Sequence, residues 1–192
     1  MKILALCGSL RAESLNAAVL RSAADLFVAP WELTREPDLG RLPFFNADVE
    51  ETALPEVVAG FRAKLGEADG LLIATPEYAH GTSGVLKNAL EWLVGGGEIA
   101  DKPVALMSAS PAVTGGNRAQ SWLSETLTVM GARVLEDGLL IPQATRKVAG
   151  GRVTDESTLT AMKELLDRLS AAVAEARRAR AEAGSFTLGA TT

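Results

Sequence analysis

Hydrophobic and polar positions change their period along the chain, and these changes predict alternating strands and helices. Short, nearly continuous apolar runs such as residues 70–75 (GLLIAT) predict parallel strands that are buried on both faces. Apolar residues three and four positions apart predict amphipathic helices between these runs. The predicted strands cover residues 2–7, 31–35, 70–75, 103–107 and 133–135, with 139–141 as an extension of the last. The predicted helices start at Leu15, cover 56–67, carry apolar faces over 85–93 and 119–130, and start again near Asp155.

This alternation predicts an α/β fold with a doubly wound parallel sheet in one domain of residues 1–182. The length of 192 residues suits one domain with a full hydrophobic core. A loop punctuated by Pro37, Pro43 and Pro55 separates the second strand from the second helix. Residues 183–192 are expected to form a flexible C-terminal tail.

Three loops with unusual chemistry follow predicted strands, at residues 8–14, 76–83 and 108–116. In doubly wound sheets, ligands bind beyond the carboxyl ends of the strands, where the strand order reverses. Because these strand ends share one edge of the sheet, we expect the three loops to meet in space. The sequence therefore predicts a ligand site at this edge.

The first loop carries the chemistry of a phosphate site. Its polar residues are Gly8, Ser9, Arg11, Ser14 and Asn16, and a helix begins directly after Ser14. A helix start presents unpaired N–H groups and the positive end of the dipole, and an Arg can hold an anion with two bonds. The alternative is that Ser14 only caps the helix and Arg11 is a solvated charge. The loop lacks the Gly-Lys-Ser/Thr of a P-loop and the Gly-x-Gly-x-x-Gly of a dinucleotide site.

Composition and charge exclude several other classes of protein. The net charge is −5, and the short cluster Arg177, Arg178 and Arg180 is interpreted as a solvated helical face, which argues against a nucleic-acid partner. No cluster of His, Cys, Asp and Glu has the spacing of a metal site, and no stretch is long enough to span a bilayer. The single cysteine, Cys7, cannot form an internal disulfide, and we expect it to be a small buried apolar residue. With no leader segment evident, a cytoplasmic location is expected.

Several motifs occur in the order typical of one family. They are Gly8-Ser9-Leu10-Arg11 with Ser14 and Asn16, Leu42-Pro43-Phe44-Phe45-Asn46-Ala47-Asp48, Pro76-Glu77-Tyr78, Gly84-x-Leu86-Lys87-Asn88-Ala89-x-x-Trp92, and Ser108-x-Ser110 with Gly115-Gly116-x-Arg118-x-Gln120. Across about residues 1–170 the chain resembles the NAD(P)H-dependent FMN reductases, a flavodoxin-like group that includes quinone, chromate and azo-dye reductases. The resemblance implies a five-stranded parallel sheet of order 2-1-3-4-5 with helices on both faces.

The resemblance also implies an enzyme that binds FMN non-covalently and takes a hydride from NAD(P)H. The electrons would then pass to a quinone, an azo compound, a metal oxyanion or free flavin, and the redox chemistry would belong to the cofactor. The first loop would hold the FMN phosphate, the second would pass under the flavin ring, and the third would line its other side. The implied cofactor-binding residues are Ser9, Arg11, Ser14, Leu15, Asn16, Pro76, Glu77, Tyr78, Ala79, Gly81, Ser110 and Gly115.

The second loop departs from the family pattern at two positions. Ala79 stands where relatives often have Asn, so only a backbone contact to the cofactor can be carried over. Ser83 stands where many relatives have Pro, which predicts a more mobile loop. His80, the only histidine, and Tyr78 are candidates for the substrate side, with plain solvation or loop packing as the alternatives. Glu77 is either a general acid or a structurally paired carboxylate.

The helix after the second loop is expected to lie in the interface of a homodimer or a dimer of dimers. Lys87, Asn88 and Trp92 lie off its apolar stripe, which predicts an exposed tryptophan. For Lys87 and Asn88, solvent or subunit contacts are favoured over the alternative of a cofactor contact. Two further functions remain open from the sequence. One is an electron carrier that docks to protein partners, which the mild charge and Arg11 disfavour. The other is a flavin-free regulatory domain, which would need an acidic pocket at the strand ends.

Overall fold

The computed structural model describes residues 1–27, 30–35 and 39–188, with side chains described as far as residue 182. In chain order the strands are β1 (Lys2–Cys7), β2 (Glu32–Arg35), β3 (Gly70–Thr75), β4 (Glu77–Tyr78), β5 (Gly81–Thr82), β6 (Pro103–Ala109), β7 (Arg133–Val134), β8 (Leu139–Ile141), β9 (Val148–Ala149) and β10 (Arg152–Val153). The helices are α1 (Leu15–Leu26), α2 (Ala47–Thr52), α3 (Glu56–Glu67), α4 (Gly84–Glu91), α5 (Asn117–Val129) and α6 (Glu156–Leu188), with single 3₁₀ turns at Leu39–Arg41 and Ala144–Arg146.

The main sheet is parallel and has the order β2-β1-β3-β6, with β7 and β8 both paired to β6. This confirms the predicted order 2-1-3-4-5, with two short strands sharing the fifth position. Between β7 and β8 the chain does not pair with β6, and Gly138 in this segment packs directly on the backbone of β6. A Cβ at Gly138 would lie 2.7 Å from the Leu106 carbonyl oxygen, so only glycine fits there.

Both faces of the sheet are buried, as the continuous apolar runs predict. Leu71 and Ile73 of β3 pack into one core cluster with α3, α4 and α5. Leu72 and Ala74, the alternating residues of the same strand, pack into a second cluster with α1 and α6. Helices therefore cover the sheet on both sides, which is the doubly wound arrangement.

The loop before α2 corrects two predictions about α4. Trp92 is fully buried, not exposed, and its indole N–H donates to the Pro43 carbonyl at 2.8 Å. Its ring packs edge-to-face on Phe45 with centroids 5.1 Å apart. Asn88 is also buried, and its amide finds two backbone partners there. It accepts from the Phe45 N–H at 2.8 Å and donates to the Pro43 carbonyl at 2.9 Å. Lys87 alone faces solvent as predicted, paired with Glu91.

The C-terminal region contains a short hairpin and a long helix. β9 and β10 form an antiparallel pair that docks on α1, where the Val153 N–H donates to the Ser22 hydroxyl at 2.8 Å. The final helix continues to Leu188, so its backbone includes part of the predicted tail. Residues 189–192 and Pro37 lie outside the described residues, and the flexibility of the tail stays a prediction. In the described part of the chain, no helix combines the length and apolarity needed to cross a membrane.

Candidate functional site

The three loops predicted to meet do so in one cleft at the carboxyl edge of the sheet. The cleft is lined by Ser9, Arg11, Ser14, Leu15, Asn16, Pro76, Glu77, Tyr78, Ala109, Ser110 and Pro111. Of the predicted site residues, Ala79, Gly81 and Gly115 lie outside this lining. The cleft sits between β1 and β3, which is where the strand order reverses.

Gly8 lets the first and second loops approach each other closely. Its N–H donates to the Ala74 carbonyl at 2.9 Å, which continues the β1–β3 ladder by one residue. A Cβ at Gly8 would lie 2.9 Å from the Ser83 hydroxyl oxygen and 3.0 Å from the Pro76 ring. A side chain at this position would therefore push the two loops apart.

The N-terminus of α1 faces the cleft and has hydrogen-bond donors that make no bond within the described residues. The buried Ser14 hydroxyl caps the helix by accepting from the Ala17 N–H at 3.1 Å, which confirms the capping interpretation. That hydroxyl keeps its own hydrogen to donate. Within the described residues, the N–H groups of Leu15 and Asn16 have no hydrogen-bond partner, and Arg11 is exposed with no ion pair. Together these groups form a receptor for an anion.

Asn16 has a structural bond that the sequence did not predict. Its side-chain amide donates to the Ala109 carbonyl and accepts from the Ala109 N–H, both at 3.0 Å. Asn16 is buried, and the pair of bonds fastens the start of α1 to the end of β6. Its side chain therefore shapes the cleft by holding the first loop beside the third.

The second loop folds into a hairpin of β4 and β5, in which Tyr78 pairs with Gly81. Its two turn residues, Ala79 and His80, have φ of 50° and 61°, the left-handed region of a type I′ turn. Asn and Gly are the residues that adopt this conformation with least strain. This gives a backbone reason for the Asn that relatives often carry at position 79.

Contacts on both sides of the hairpin hold it in place. Gly81 lies against the ring of Trp122, and a Cβ at Gly81 would be 3.4 Å from that ring. The Thr82 hydroxyl donates to the Ala119 carbonyl at 3.1 Å. Ser83 is buried and caps α4 through a contact with the Leu86 N–H. The greater mobility expected for this loop stays a prediction.

Glu77 is a paired carboxylate rather than a free general acid. One carboxylate oxygen accepts from the backbone N–H groups of Arg118 at 3.0 Å and Ala119 at 3.3 Å, at the start of α5. The other oxygen lies 3.4 Å from the Nδ1 of His80. His80 is largely exposed on the hairpin turn and does not line the cleft.

The third loop is shaped by two glycines and two serines. Gly115 and Gly116 have φ of 64° and 88°, which other residues adopt only with strain. The buried Ser108 hydroxyl donates to the Gly115 carbonyl at 2.6 Å, which ties this part of the loop to the end of β6. The Ser110 hydroxyl accepts from the Ala112 N–H at 3.2 Å and faces the cleft.

Sequence reasoning missed two lining residues, Ala109 and Pro111. The predicted fourth strand ends at residue 107, whereas β6 continues to Ala109 with both added residues buried. The signal was present in the small residues Ser108 and Ala109, which continue the buried run. Pro111 stands next to Ser110, which was predicted, but its type indicates no ligand contact by itself.

This fold and this cleft define a flavodoxin-like flavoprotein domain, and the comparisons with known proteins agree. The model of the NADPH-dependent FMN reductase family matches residues 1–146. An NAD(P)H-dependent FMN reductase of Pseudomonas aeruginosa is 34% identical over 173 residues, covering 88% of this chain and 93% of the relative. A quinone reductase of Escherichia coli is 31% identical over 182 residues, covering 88% and 97%. The chain belongs to the NADPH-dependent FMN reductase family.

A solved structure agrees with this assignment. FerB, a flavoenzyme NAD(P)H:(acceptor) oxidoreductase from Paracoccus denitrificans, superposes with a TM-score of 0.81 at 29% identity and covers 91% of this chain and 97% of its own. The predicted family, fold class, FMN cofactor and NAD(P)H co-substrate are thereby confirmed. The protein is an oxidoreductase rather than a flavin-free regulatory domain or a simple electron carrier.

Proposed function

We propose that the cleft holds FMN and that the enzyme passes reducing equivalents from NAD(P)H to quinones and related acceptors. The observation that carries this proposal is the open N-terminus of α1. Arg11, the Ser14 hydroxyl and the N–H groups of Leu15 and Asn16, which have no partner among the described residues, lie at the switch point of the sheet. This donor set fits a dianionic phosphate monoester such as that of FMN.

The remaining lining residues fit the flat part of the cofactor. The backbone of the hairpin from Pro76 to Gly81 would pass along the polar edge of the flavin ring, and Tyr78 would pack beside it. Ser110 of the third loop would line the opposite side. When bound, FMN supplies the hydride chemistry, and the protein supplies position and tuning.

The acceptor is proposed from the chemistry of an open ring face. Donor and acceptor would use the same face in turn, which gives ping-pong kinetics. A quinone is the acceptor we propose first, because the Escherichia coli relative is a quinone reductase. Azo compounds, metal oxyanions and free flavin remain proposed alternatives. A cytoplasmic location is also proposed, because Cys7 is unpaired and NAD(P)H must be at hand.

We propose a homodimer or a dimer of dimers on the basis of α4 and α5. Three large apolar side chains project from these helices or just beyond them: Val94, Trp122 and Val129, exposed by 69%, 62% and 85%. Val94 and Val129 line one groove beside α4 and α5, and exposed apolar patches are typical of protein–protein interfaces. Val129→Glu should place a charge in this contact, and light scattering of the wild type and the variant tests the oligomer directly.

The first experiment is an anaerobic visible spectrum of the FMN-reconstituted protein during addition of NADPH and then NADH. Bleaching of bound flavin that a quinone reverses is the expected result, and it ranks the two donors. Bound flavin that neither donor bleaches would point to an electron carrier. Protein that binds no flavin would contradict the assignment of the cleft.

A further inference from the structure

The N-terminus of α5 is filled by a carboxylate from a distant part of the chain. Glu77 accepts from two N–H groups in the first turn of this helix, those of Arg118 and Ala119. The Glu77 side chain is only 12% exposed, so its carboxylate is largely removed from water. A carboxylate at a helix N-terminus gains from both the hydrogen bonds and the helix dipole. The contact therefore joins the hairpin to α5 by charge as well as by shape.

The hairpin needs such support because its own structure is weak. β4 and β5 have two residues each, and an isolated hairpin of this length is not stable in water. Both turn residues, Ala79 and His80, have positive φ without being glycine, which adds strain. The bonds of Glu77 and Thr82, and the packing of Gly81 on Trp122, all go to α5. The geometry of the hairpin is thus set by this helix.

We infer that Glu77 is a positioning residue of the cofactor cleft, acting through the hairpin rather than on the reacting atoms. Its neighbours on either side, Pro76 and Tyr78, line the cleft together with Arg11 and Ser110. Anchoring Glu77 fixes the backbone that carries both neighbours. This inference rests on the proposed FMN site and adds a requirement for the negative charge of Glu77.

Simple charge repulsion predicts the opposite effect, which makes the inference testable. A carboxylate near a dianionic phosphate repels it, so removal of the charge should by itself tighten FMN binding. Loss of the anchor should instead weaken it. Glu13→Gln is the matched control, because Glu13 is exposed in the first loop and makes no ion pair within the described residues. Glu77→Gln removes the same charge but also the anchor.

The experiment measures FMN affinity by quenching of flavin fluorescence, at a temperature where all variants are folded. Amide proton shifts of Arg118 and Ala119 are recorded on the cofactor-free proteins. We expect Glu77→Gln to bind FMN about tenfold more weakly, as loss of a charge-assisted anchor would give, and to shift both amides upfield. Glu13→Gln should bind FMN equally or more tightly and leave both amides in place.

Two outcomes overturn the inference. One is FMN affinity in Glu77→Gln that equals or exceeds that of the wild type. The other is weaker binding with unchanged amide shifts, because the anchor would then not be the cause. If Glu77→Gln does not fold, Thr82→Val takes its place in the test. This variant breaks the neighbouring bond to α5 without a change of charge, and it should also weaken FMN binding. Wild-type protein that binds no FMN would instead defeat the proposed function itself.

Discussion

The helices α1 and α5 both begin at the carboxyl edge of the sheet, and what occupies their first turns differs. α1 begins with free N–H groups at Leu15 and Asn16 and an exposed Arg11 beside them, as far as the described residues show. In the first turn of α5, the N–H groups of Arg118 and Ala119 are already bonded to Glu77. Both starts offer the same dipole and the same unpaired donors. At the start of α5 a carboxylate of the protein itself occupies the first turn, and we propose that the start of α1 takes the cofactor phosphate.

The difference separates two roles that the sequence placed in one group. Residues of all three loops were predicted to bind the cofactor, and most of them do line one cleft. The geometry supports anion binding at the start of α1, whereas at the start of α5 it shows an anchor. A helix N-terminus is therefore informative about ligands only when the structure shows that its donors are free.

The largest expected effect is at the open start of α1. Arg11→Ala should weaken FMN binding by about 2 kcal/mol, roughly 30-fold, because a charge-assisted contact to the phosphate is lost. Thermal stability should change little, since Arg11 is exposed and makes no described ion pair. Titration of flavin fluorescence measures the affinity.

Arg178→Ala is the control for Arg11→Ala, because it removes the same charge from the far end of the sheet. Its neighbour Arg177 bonds Asp69, which directly precedes β3. FMN affinity should be nearly unchanged in this variant. Equal losses in the two variants would mean that net charge, rather than a contact at the start of α1, governs binding.

Asn16→Ala tests whether the open start must be held beside β6. The change leaves the N–H and carbonyl of Ala109 without their buried partner, which should cost about 2 kcal/mol of stability. For a chain of this length that lowers Tm by about 4–8 °C. Asn88→Ala is matched, since it also removes a buried amide with two backbone partners. Both should destabilise, but only Asn16→Ala should weaken FMN binding once both proteins are fully folded.

Much of this architecture was predictable because it depends on periodic burial. The second predicted helix, 56–67, coincides with α3, and the predicted third strand coincides with β3. A parallel strand buried on both faces must be apolar at successive positions, and such a run can be recognised directly in the sequence. The phosphate loop was visible for a similar reason, because its donors are close together in the sequence.

The errors concern contacts between distant residues. Trp92 was expected on the surface because it lies off the apolar stripe of α4, yet Pro43 and Phe45 cover it from the side. The bond of Glu77 to α5 spans 41 positions, and that of Asn16 to Ala109 spans 93. No local pattern encodes such pairs. The two-residue strands of the hairpins are likewise too short to show a period.

Asp155 extends the comparison to a third helix start, that of α6. Its carboxylate accepts from the Thr158 and Ser157 hydroxyls and the Thr158 N–H, and these bonds lower its pKa from 3.8 to about 2. The lowered pKa means that the stabilisation is complete above pH 3.8 and is lost as the pH falls toward 2.

Asp155→Asn should therefore lower Tm by a few degrees at neutral pH and leave FMN binding unchanged. The gap to the wild type should narrow below about pH 4 and close only below pH 2, where the Asp155 carboxyl is protonated in the folded protein as well. Denaturant midpoints across this range provide the measurement. A gap that stays constant with pH would show that the charge of Asp155 does not contribute.

The smallest expected effect concerns the strained turn that α5 holds in place. Ala79→Asn puts a residue that tolerates positive φ at the first turn position, where φ is 50°. Relief of strain should stabilise the protein by about 0.5 kcal/mol, or roughly 1–2 °C in Tm. Ala53→Asn is the control, since Ala53 is exposed with an extended φ of −159° and should gain nothing.

If Glu77 holds the hairpin against this strain, Ala79→Asn should also recover part of the FMN affinity lost in Glu77→Gln. A gain in stability without that recovery would mean that turn strain and the Glu77 anchor act independently.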